Sequence, residues 1–582
     1  MKFSLLAGLC IGLLTACSGP GANVADCVRI RWAADPESLD PLVQLNQAST
    51  DADNLLHLSL LQTDFAKSSY SPGLADSLPR IRLVGDSLTL LTYCLRGAAA
   101  WDNGQPVLAS DVAFTLKLMQ APGLPNEGIR TQYSFIRELR ADPNNARRFT
   151  LVCRGQASDF AHASGDFFIL PEAALDARGT LRRYRLADLI DRPASAAPDT
   201  ALGAIARRYA TAAPGQHPER LPGCGPYRLI SWEKDHLLRF QRKPQWWADQ
   251  LKSPPLVLQA HPQQIDFLVI PDGASAALAL RRGEVDLYPE VPARDFNRLR
   301  RSAKAQQTLA FYITPSHNVV TAGFNTRRPA LADRLTRQAL ALLFDVPALL
   351  STTQQSLGQR TVGIISPNTG RNYADSLPLL SFDPNRATAL LQQAGWRQKA
   401  ADPAASWMRQ GPGGEMQHLA LQVRYRAGET AFATIGLQFR AAAARLGISV
   451  ELRPTEASAF MSTLQASDFD LYIKLVRGNP YLFNFTSVLH SEAVGEGNLT
   501  GFGTPASDRL VEALAVAQSP AIRSRLLRKL QVVLRREMPL FPLFFEYNCL
   551  AANRRLRHLY PSSVRPGYAA AAVTWAPQAT LP

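Results

Sequence analysis

Leu419-Ala420-Leu421-Gln422-Val423-Arg424-Tyr425, followed by the segment 434–446 and then by Ile448-Ser449-Val450-Glu451-Leu452, is the stretch that decides the class of fold. The first run alternates apolar and polar side chains, as a half-buried strand does. Residues 434–446 read as an amphipathic helix with Gly447 after it, and 448–452 read as a second strand. Two strands joined through a helix cannot close as a hairpin, so they lie parallel, and chain chirality makes the crossover right-handed.

The same alternation of strands and helices extends outward in both directions. Val28-Arg29-Ile30-Arg31-Trp32 reads as an edge-like strand that runs into the turn-rich Pro36-Glu37-Ser38-Leu39-Asp40-Pro41. Residues 80–84 and 88–95 read as strands. Asn103-Gly104 marks a tight turn, and Ala109-Ser110-Asp111 offers the cap of a helix carried by Val112, Phe114, Thr115, Leu116 and Leu118. Residues 173–221, rich in Ala, Arg, Pro and Asp, read as partly helical and partly irregular. Strands return over 229–232, 237–241 and 265–270, and a helix over 274–281 ends at Gly283. Beyond Gly323-Phe324-Asn325 the pattern is more helical: 333–344, a helix begun by Asp383-Pro384 and stopped by Gly395, then 508–516 and 522–536. An apolar strand over 541–550 follows. The class is mixed α/β.

At 582 residues, with 46% apolar and 19% charged side chains, the chain exceeds one ordinary domain; two to four units are expected. Its amino end carries Met1-Lys2, an apolar run over 3–14, and Leu14-Thr15-Ala16-Cys17. The run is too short for a permanent membrane helix and fits a cleavable export signal over 1–16. The small residues before Cys17 resemble a bacterial lipobox. Acylation there would place the mature chain on a bilayer at about 0.8 kcal/mol per buried methylene; the alternative is a plain secretory signal with an incidental cysteine. Residues 17–27 then form a tether. The net charge of +15 raises nucleic acid as a partner, but export and the scattered arginines argue for a solvated basic surface, one able to face anionic lipid, with no nucleic acid bound.

Without Cys10 and Cys17, the cysteines are Cys27, Cys94, Cys153, Cys224 and Cys549. None forms a CxxC pair or neighbours clustered histidines, so no metal site is expected. Cys94 and Cys153, in strand-like runs, are candidates for a bridge between neighbouring strands. Catalytic signatures are missing from the sequence: the nine histidines are isolated, and there is no HExxH, no GxxxxGK[ST] and no GxSxG. Lone acids such as Asp286 and Asp508 read as caps or surface groups. No enzyme and no cofactor are expected.

A series of landmarks in fixed order resembles the family 5 extracellular solute-binding proteins, the oligopeptide, dipeptide and nickel receptors of ABC importers. They are Ser38-Leu39-Asp40-Pro41, Pro72-Gly73-Leu74-Ala75, Leu95-Arg96 with Trp101-Asp102-Asn103-Gly104-Gln105-Pro106, and Ser110-Asp111-Val112-Ala113-Phe114. Next come Gly223-Cys224-Gly225-Pro226-Tyr227 with Trp246-Trp247, Gly283-Glu284-Val285-Asp286, Phe324-Asn325 and Arg337-Gln338-Ala339-Leu340. The last are Phe382-Asp383-Pro384 running to Gln393-Ala394-Gly395, and Asn498 with Asp508.

The resemblance implies a periplasmic-binding-protein-like class II fold, with two lobes, a hinge and three domains. Domain I is discontinuous (28–55, 216–304 and 536–582), domain II is an insertion (56–215) and domain III spans 305–535. It implies a monomer that holds a peptide-like solute between domains I and III and delivers it to a permease, at the periplasmic or extracellular side of a membrane. Peptide receptors of the family usually clamp the ligand's amino group with an aspartate after an aromatic residue. The matching stretch is Lys474-Leu475-Val476-Arg477-Gly478-Asn479-Pro480-Tyr481, where no Asp stands and Arg477 or Gly478 takes its place. A cation cannot hold an ammonium, so Arg477 is expected to grip a carboxylate or another anion. Position alone adds Asn46, Gln47, Glu290, Thr321, Gly323, Asn479, Phe545 and Glu546 as cleft candidates. Alternatives are a sensing lipoprotein uncoupled from import, or a receptor for an anionic or metal-chelate solute.

Overall fold

Eleven strands form one mixed sheet: β1 (Cys27–Trp32), β2 (Tyr227–Glu233), β3 (Leu237–Arg242), β4 (Gln264–Val269), β5 (Leu287–Tyr288), β6 (Leu309–Phe324), β7 (Gly358–Arg360), β8 (Ala420–Arg426), β9 (Ser449–Thr455), β10 (Leu471–Val476) and β11 (Leu540–Asn553). Their spatial order is β9-β8-β10-β6-β11-β5-β1-β4-β3-β2, with β7 paired to β11. The computed structural model describes residues 26–43, 46–193, 195–398, 406–411, 413–478, 480–481 and 483–577. The export signal, Cys10, Cys17, nearly all of the tether and Asn479 lie outside the described residues.

The unit read first from the sequence forms as expected. β8 and β9 pair in parallel from Ala420↔Ser449 to Arg426↔Thr455. Leu421, Val423 and Tyr425 are buried on one face of β8, and the intervening helix Thr430–Arg445 buries Ile435, Phe439, Ala442 and Ala443. That spacing is one helical stripe laid on a sheet.

Three readings need correction. β1 is an interior strand, parallel to both β4 and β5, not an edge. Its arginines mimic a solvent face but are satisfied inside. Arg29 makes a two-pronged pair with Asp286 (2.9 and 2.8 Å), and Arg31 donates to the carbonyls of Ile270 and Pro271. Asp111 is not the cap residue of helix Ala109–Leu118; it sits in the first turn and accepts from the Leu108 and Glu172 amides. Cys94 and Cys153 are free thiols. Their strands do pair, but the register sets Cys94 opposite Arg148 and Cys153 opposite Thr89. A disulfide needs Cα atoms within about 7 Å, which that offset along the strands does not provide.

A second sheet of four antiparallel strands, ordered Arg80–Val84, Leu88–Cys94, Asn145–Arg154 and Ile136–Asp142, packs with helix Ala109–Leu118. It shares a hydrophobic core with β1 to β4 and with residues 550–573. A separate core gathers Val320, Ala322 and Phe324 of β6, Phe541, Leu543 and Phe544 of β11, and the β8–β10 region. β6 and β11 therefore run from one core to the other as paired neighbours, with their register shifted between Pro315 and Val319 and again after Val320. Hydrogen bonds stitch that bulge: Ser316 Oγ donates to Glu546 O (2.7 Å) and Gly478 N to His317 O (3.0 Å). Away from these strands the two sides touch once more. Tyr481 packs on Tyr70 and His162, and Ser158 N donates to Ala515 O (3.1 Å).

Candidate functional site

Charged side chains from both cores converge beside the β6–β11 bulge. The first core contributes helix α1 (Gln47–Leu56), the turn after β5 and the segment around Arg565. The second contributes Glu546 on β11, Arg477 just past β10, and Arg426 and Glu429 at the end of β8.

α1 starts at Asn46, whose side chain accepts from Ser49 N (2.8 Å) and donates to Asp35 O (2.9 Å). At the start of α1, Gln47 Nε2 donates to Asp51 Oδ1 one turn on (2.8 Å), the (i, i+4) spacing that a helix provides. Burial outweighs that bond and pushes the Asp51 carboxyl up to about 7; Glu290 adds to the rise and Arg565 opposes it. Glu290 occupies a left-handed backbone conformation, φ +53°, and accepts from Arg565 Nε (2.8 Å) and Nη2 (2.5 Å). Arg565 thus spends its charge on Glu290.

Across the seam, Gln354 Nε2 donates to Glu546 Oε1 (3.2 Å). Burial pushes Glu546 up to about 7, helped by Glu290 and Glu429 and opposed by Arg565 and Arg477. Arg426 and Glu429 pair loosely at 3.8 Å. Arg477 faces Arg565, Glu290, Arg426 and Glu429, and burial followed by Arg565 lowers its affinity for a proton. Among the described residues it makes no hydrogen bond or ion pair. Near neutral pH the cluster therefore presents two half-protonated carboxyls and a guanidinium with unused donors, an arrangement suited to an anion.

Of the residues expected from sequence, Gln47, Glu290, Arg477 and Glu546 come together here. Gly478 adjoins them; a Cβ there would stand 2.4 Å from His317 O, so that residue permits a close backbone approach. Thr321, Gly323 and Phe545 are buried in the sheet. Thr321 Oγ1 donates to Lys474 O (3.2 Å), a Cβ on Gly323 would overlap the Tyr472 ring at 2.1 Å, and Phe545 sits between partners Val319 and Gln359. Asn46 borders a different groove, with Asp35, Tyr209 and Trp232. Sequence reasoning missed Asp51, Gln354, Arg426, Glu429 and Arg565. Only Asp51 carried a signal, its helical spacing from Gln47. Among the described residues no cluster of His, Cys, Asp and Glu is arranged to hold a metal ion.

Comparison with known proteins agrees with this architecture. The model of the bacterial extracellular solute-binding proteins, family 5, matches residues 69–488. Di/tripeptide-binding protein 3 of Pseudomonas aeruginosa is 22% identical over 550 residues, 93% of this chain and 92% of its own length. Among solved structures, the oligopeptide-binding protein AppA of Bacillus subtilis, in complex with a nonapeptide, superposes with a TM-score of 0.69 at 17% identity, covering 95% of this chain and 99% of that one. The periplasmic EDTA-binding protein EppA gives 0.73 at 17% identity, covering 95% and 96%.

Proposed function

The chain belongs to the family 5 bacterial extracellular solute-binding proteins, and on that premise we propose that it captures an anionic, peptide-like solute at the seam between its two cores and hands it to an ABC permease without chemical change. In this reading residues 28–55, 216–304 and 536–582 form one domain, 56–215 an insertion on it, and 305–535 the facing domain. The signal over 1–16 is removed, Cys17 is acylated, and the monomer works on the outer side of the membrane that holds its permease.

The observation that carries the reading is Arg477. It or its neighbour Gly478 takes the place where the resemblance described above puts an acid, and its donors are unspent among the described residues. A guanidinium offers two parallel N–H bonds to a carboxylate and repels an ammonium. Asp51 and Glu546, when protonated, add donors to the same anion. Closing the two cores on such a guest buries the charge pair away from water, where each bond is stronger.

Calorimetry with one peptide in two blocked forms tests this. The N-acetylated form, which keeps its carboxylate, is expected to bind, and the C-amidated form, which keeps only its amine, is not. Arg477→Ala should abolish binding of the acetylated form and Arg477→Lys should restore part of it. Binding of the amidated form alone, or an Arg477→Ala protein with unchanged affinity, rejects the proposal. A second reading, an anionic metal chelate as the solute, is favoured by the likeness to EppA and to NikA of Brucella suis in complex with Fe(III)-EDTA. Mass spectrometry of solute carried through native purification separates the two.

A further inference from the structure

Where the chain enters the first core, at the start of β1, cations gather without acids to match them. Cys27 O accepts from Trp575 Nε1 (3.0 Å), and Trp575 belongs to a short hairpin in which Leu556 and Arg557 pair with Trp575 and Thr574. β11 reaches the same end of the sheet: Asn553 N donates to Asp286 O (2.7 Å) and Asp286 N to Arg29 O (2.8 Å). β11 runs antiparallel to β5, and β5 parallel to β1, so the residues after Asn553 emerge beside Cys27.

Those residues include Arg554, Arg555 and Arg557, all exposed. Neutral groups hold them in place. Arg554 Nη2 donates to the carbonyls of Gln306 and Leu309. Arg555 lies over the Trp575 ring and donates to Ala576 O (3.3 Å), and Arg557 Nη1 donates to Arg554 O (2.5 Å) and Leu556 O (3.1 Å). A guanidinium has five N–H donors, so each arginine keeps at least three for a partner. Gln306 also brings its neighbours Arg301 and Lys304 to this end, both exposed. Among the described residues none of these five cations makes an ion pair. The acids nearest Cys27, Asp266 and Asp286, are spent on Arg239 and Arg29, and exposed Asp26 offsets one of the five charges.

We propose that this ridge is a docking surface for an anionic phospholipid bilayer, the membrane to which an acylated Cys17 ties the chain. The inference rests on that acylation, but the ridge can be tested without it. The ten peptide bonds between Cys17 and Cys27 reach at most about 35 Å, so the tether keeps this end of the molecule, and no other, close to the lipid. Attraction to phosphate headgroups sets in within a Debye length, about 8 Å at physiological salt. Each basic side chain at an anionic surface raises partition about fivefold, so the three arginines together supply about a hundredfold. Docking leaves the solute site clear, because Glu290 follows the opposite end of β5.

The probes are vesicles of phosphatidylglycerol and phosphatidylcholine in equal parts, against vesicles of phosphatidylcholine alone. The protein is the full chain carrying Cys17→Ser, so that no acyl group contributes. Co-sedimentation is expected to show partition onto the mixed vesicles at least tenfold above that onto phosphatidylcholine, and the difference should shrink as salt is added. Arg555→Glu with Arg557→Glu should remove most of that difference. Arg80→Glu with Arg82→Glu, an equal change in net charge on the exposed strand Arg80–Val84, should leave it in place. As a check that needs neither pair of substitutions, mixed vesicles should slow hydrogen exchange over 554–558 and 574–576. Equal partition onto the two vesicles, an equal loss from the two double variants, or exchange slowed only outside the hairpin overturns the proposal. The mass of the amino-terminal peptide, from chain made in bacterial membranes, reads acylation separately. An unmodified Cys17 with the vesicle preference intact rejects the anchor and leaves the ridge standing. An acylated Cys17 with no vesicle preference does the reverse.

Discussion

If Asp51 and Glu546 must be protonated to share an anion with Arg477, affinity depends on pH in a direction the structure fixes. Both carboxyls are raised to about 7, chiefly by burial. The charged groups facing them are Glu290, Glu429, Arg565 and Arg477, with Gln47 and Gln354 as neutral donors. A group with that pKa is protonated in roughly one molecule in ten at pH 8 and nine in ten at pH 6. Apparent affinity scales with the competent fraction, so each acid supplies about a tenfold gain over that interval and the two together about a hundredfold. An N-acetylated peptide suits the measurement, because its own carboxylate stays ionised throughout. Calorimetry at pH 6, 7 and 8 should show affinity rising as pH falls, with proton uptake in buffers of different ionisation enthalpy. Glu546→Gln should reduce the dependence to about tenfold. A flat profile, or affinity that rises with pH, refutes the coupling of these acids to the anion.

Other consequences concern the scaffold. The same two carboxyls hold more protons folded than unfolded between about pH 4 and 7, so their contribution to stability is fully present below that window and lost as pH rises through 7; Glu546→Gln should therefore raise the melting temperature at pH 8 more than at pH 5. Arg337 donates to the carbonyls of Leu331, Ala332, Glu537 and Met538, tying the end of helix Pro520–Glu537 to the second core; Arg337→Met should cost about 3 kcal/mol in urea denaturation by stranding buried carbonyls. Gly323→Ala forces a methyl into the Tyr472 ring and should cost about 2 kcal/mol or more by the same assay, with a neutral result excluding the tight β6–β10 packing. A reducing agent should leave the melting temperature unchanged, since Cys27, Cys94, Cys153, Cys224 and Cys549 are free, and the buried Cys153 and Cys224 should react with a maleimide only on unfolding.

What the sequence made legible was local. Leu421, Val423 and Tyr425 announce a strand by their period, Asp333 and Asp383 announce helix starts and do cap them, and Gly283 stops a helix in the left-handed conformation that such an end demands. What stayed hidden depends on partners far along the chain. The alternating arginines of β1 read as a solvent face because Asp286, which neutralises Arg29, lies 257 residues away. The Cys94–Cys153 expectation found the right pair of strands and failed on register, which the connecting turns set. In the site, Arg477 stood out because an acid was expected there, whereas Arg565 follows the last long strand with no pattern to mark it.

β6 and β11 form the spine of a book whose covers are the two cores, and the contacts of Tyr481 with Tyr70 and His162, together with Ser158 and Ala515, form a clasp on the open side. A spine of two bonded strands permits swinging and resists sliding. The clasp is slight: aromatic pairs contribute about 1 kcal/mol each and a hydrogen bond about as much. Thermal motion can undo a fastening of that size, so in the proposed capture cycle the empty molecule parts its covers, and a guest that bridges them adds the few kcal/mol that keep them shut.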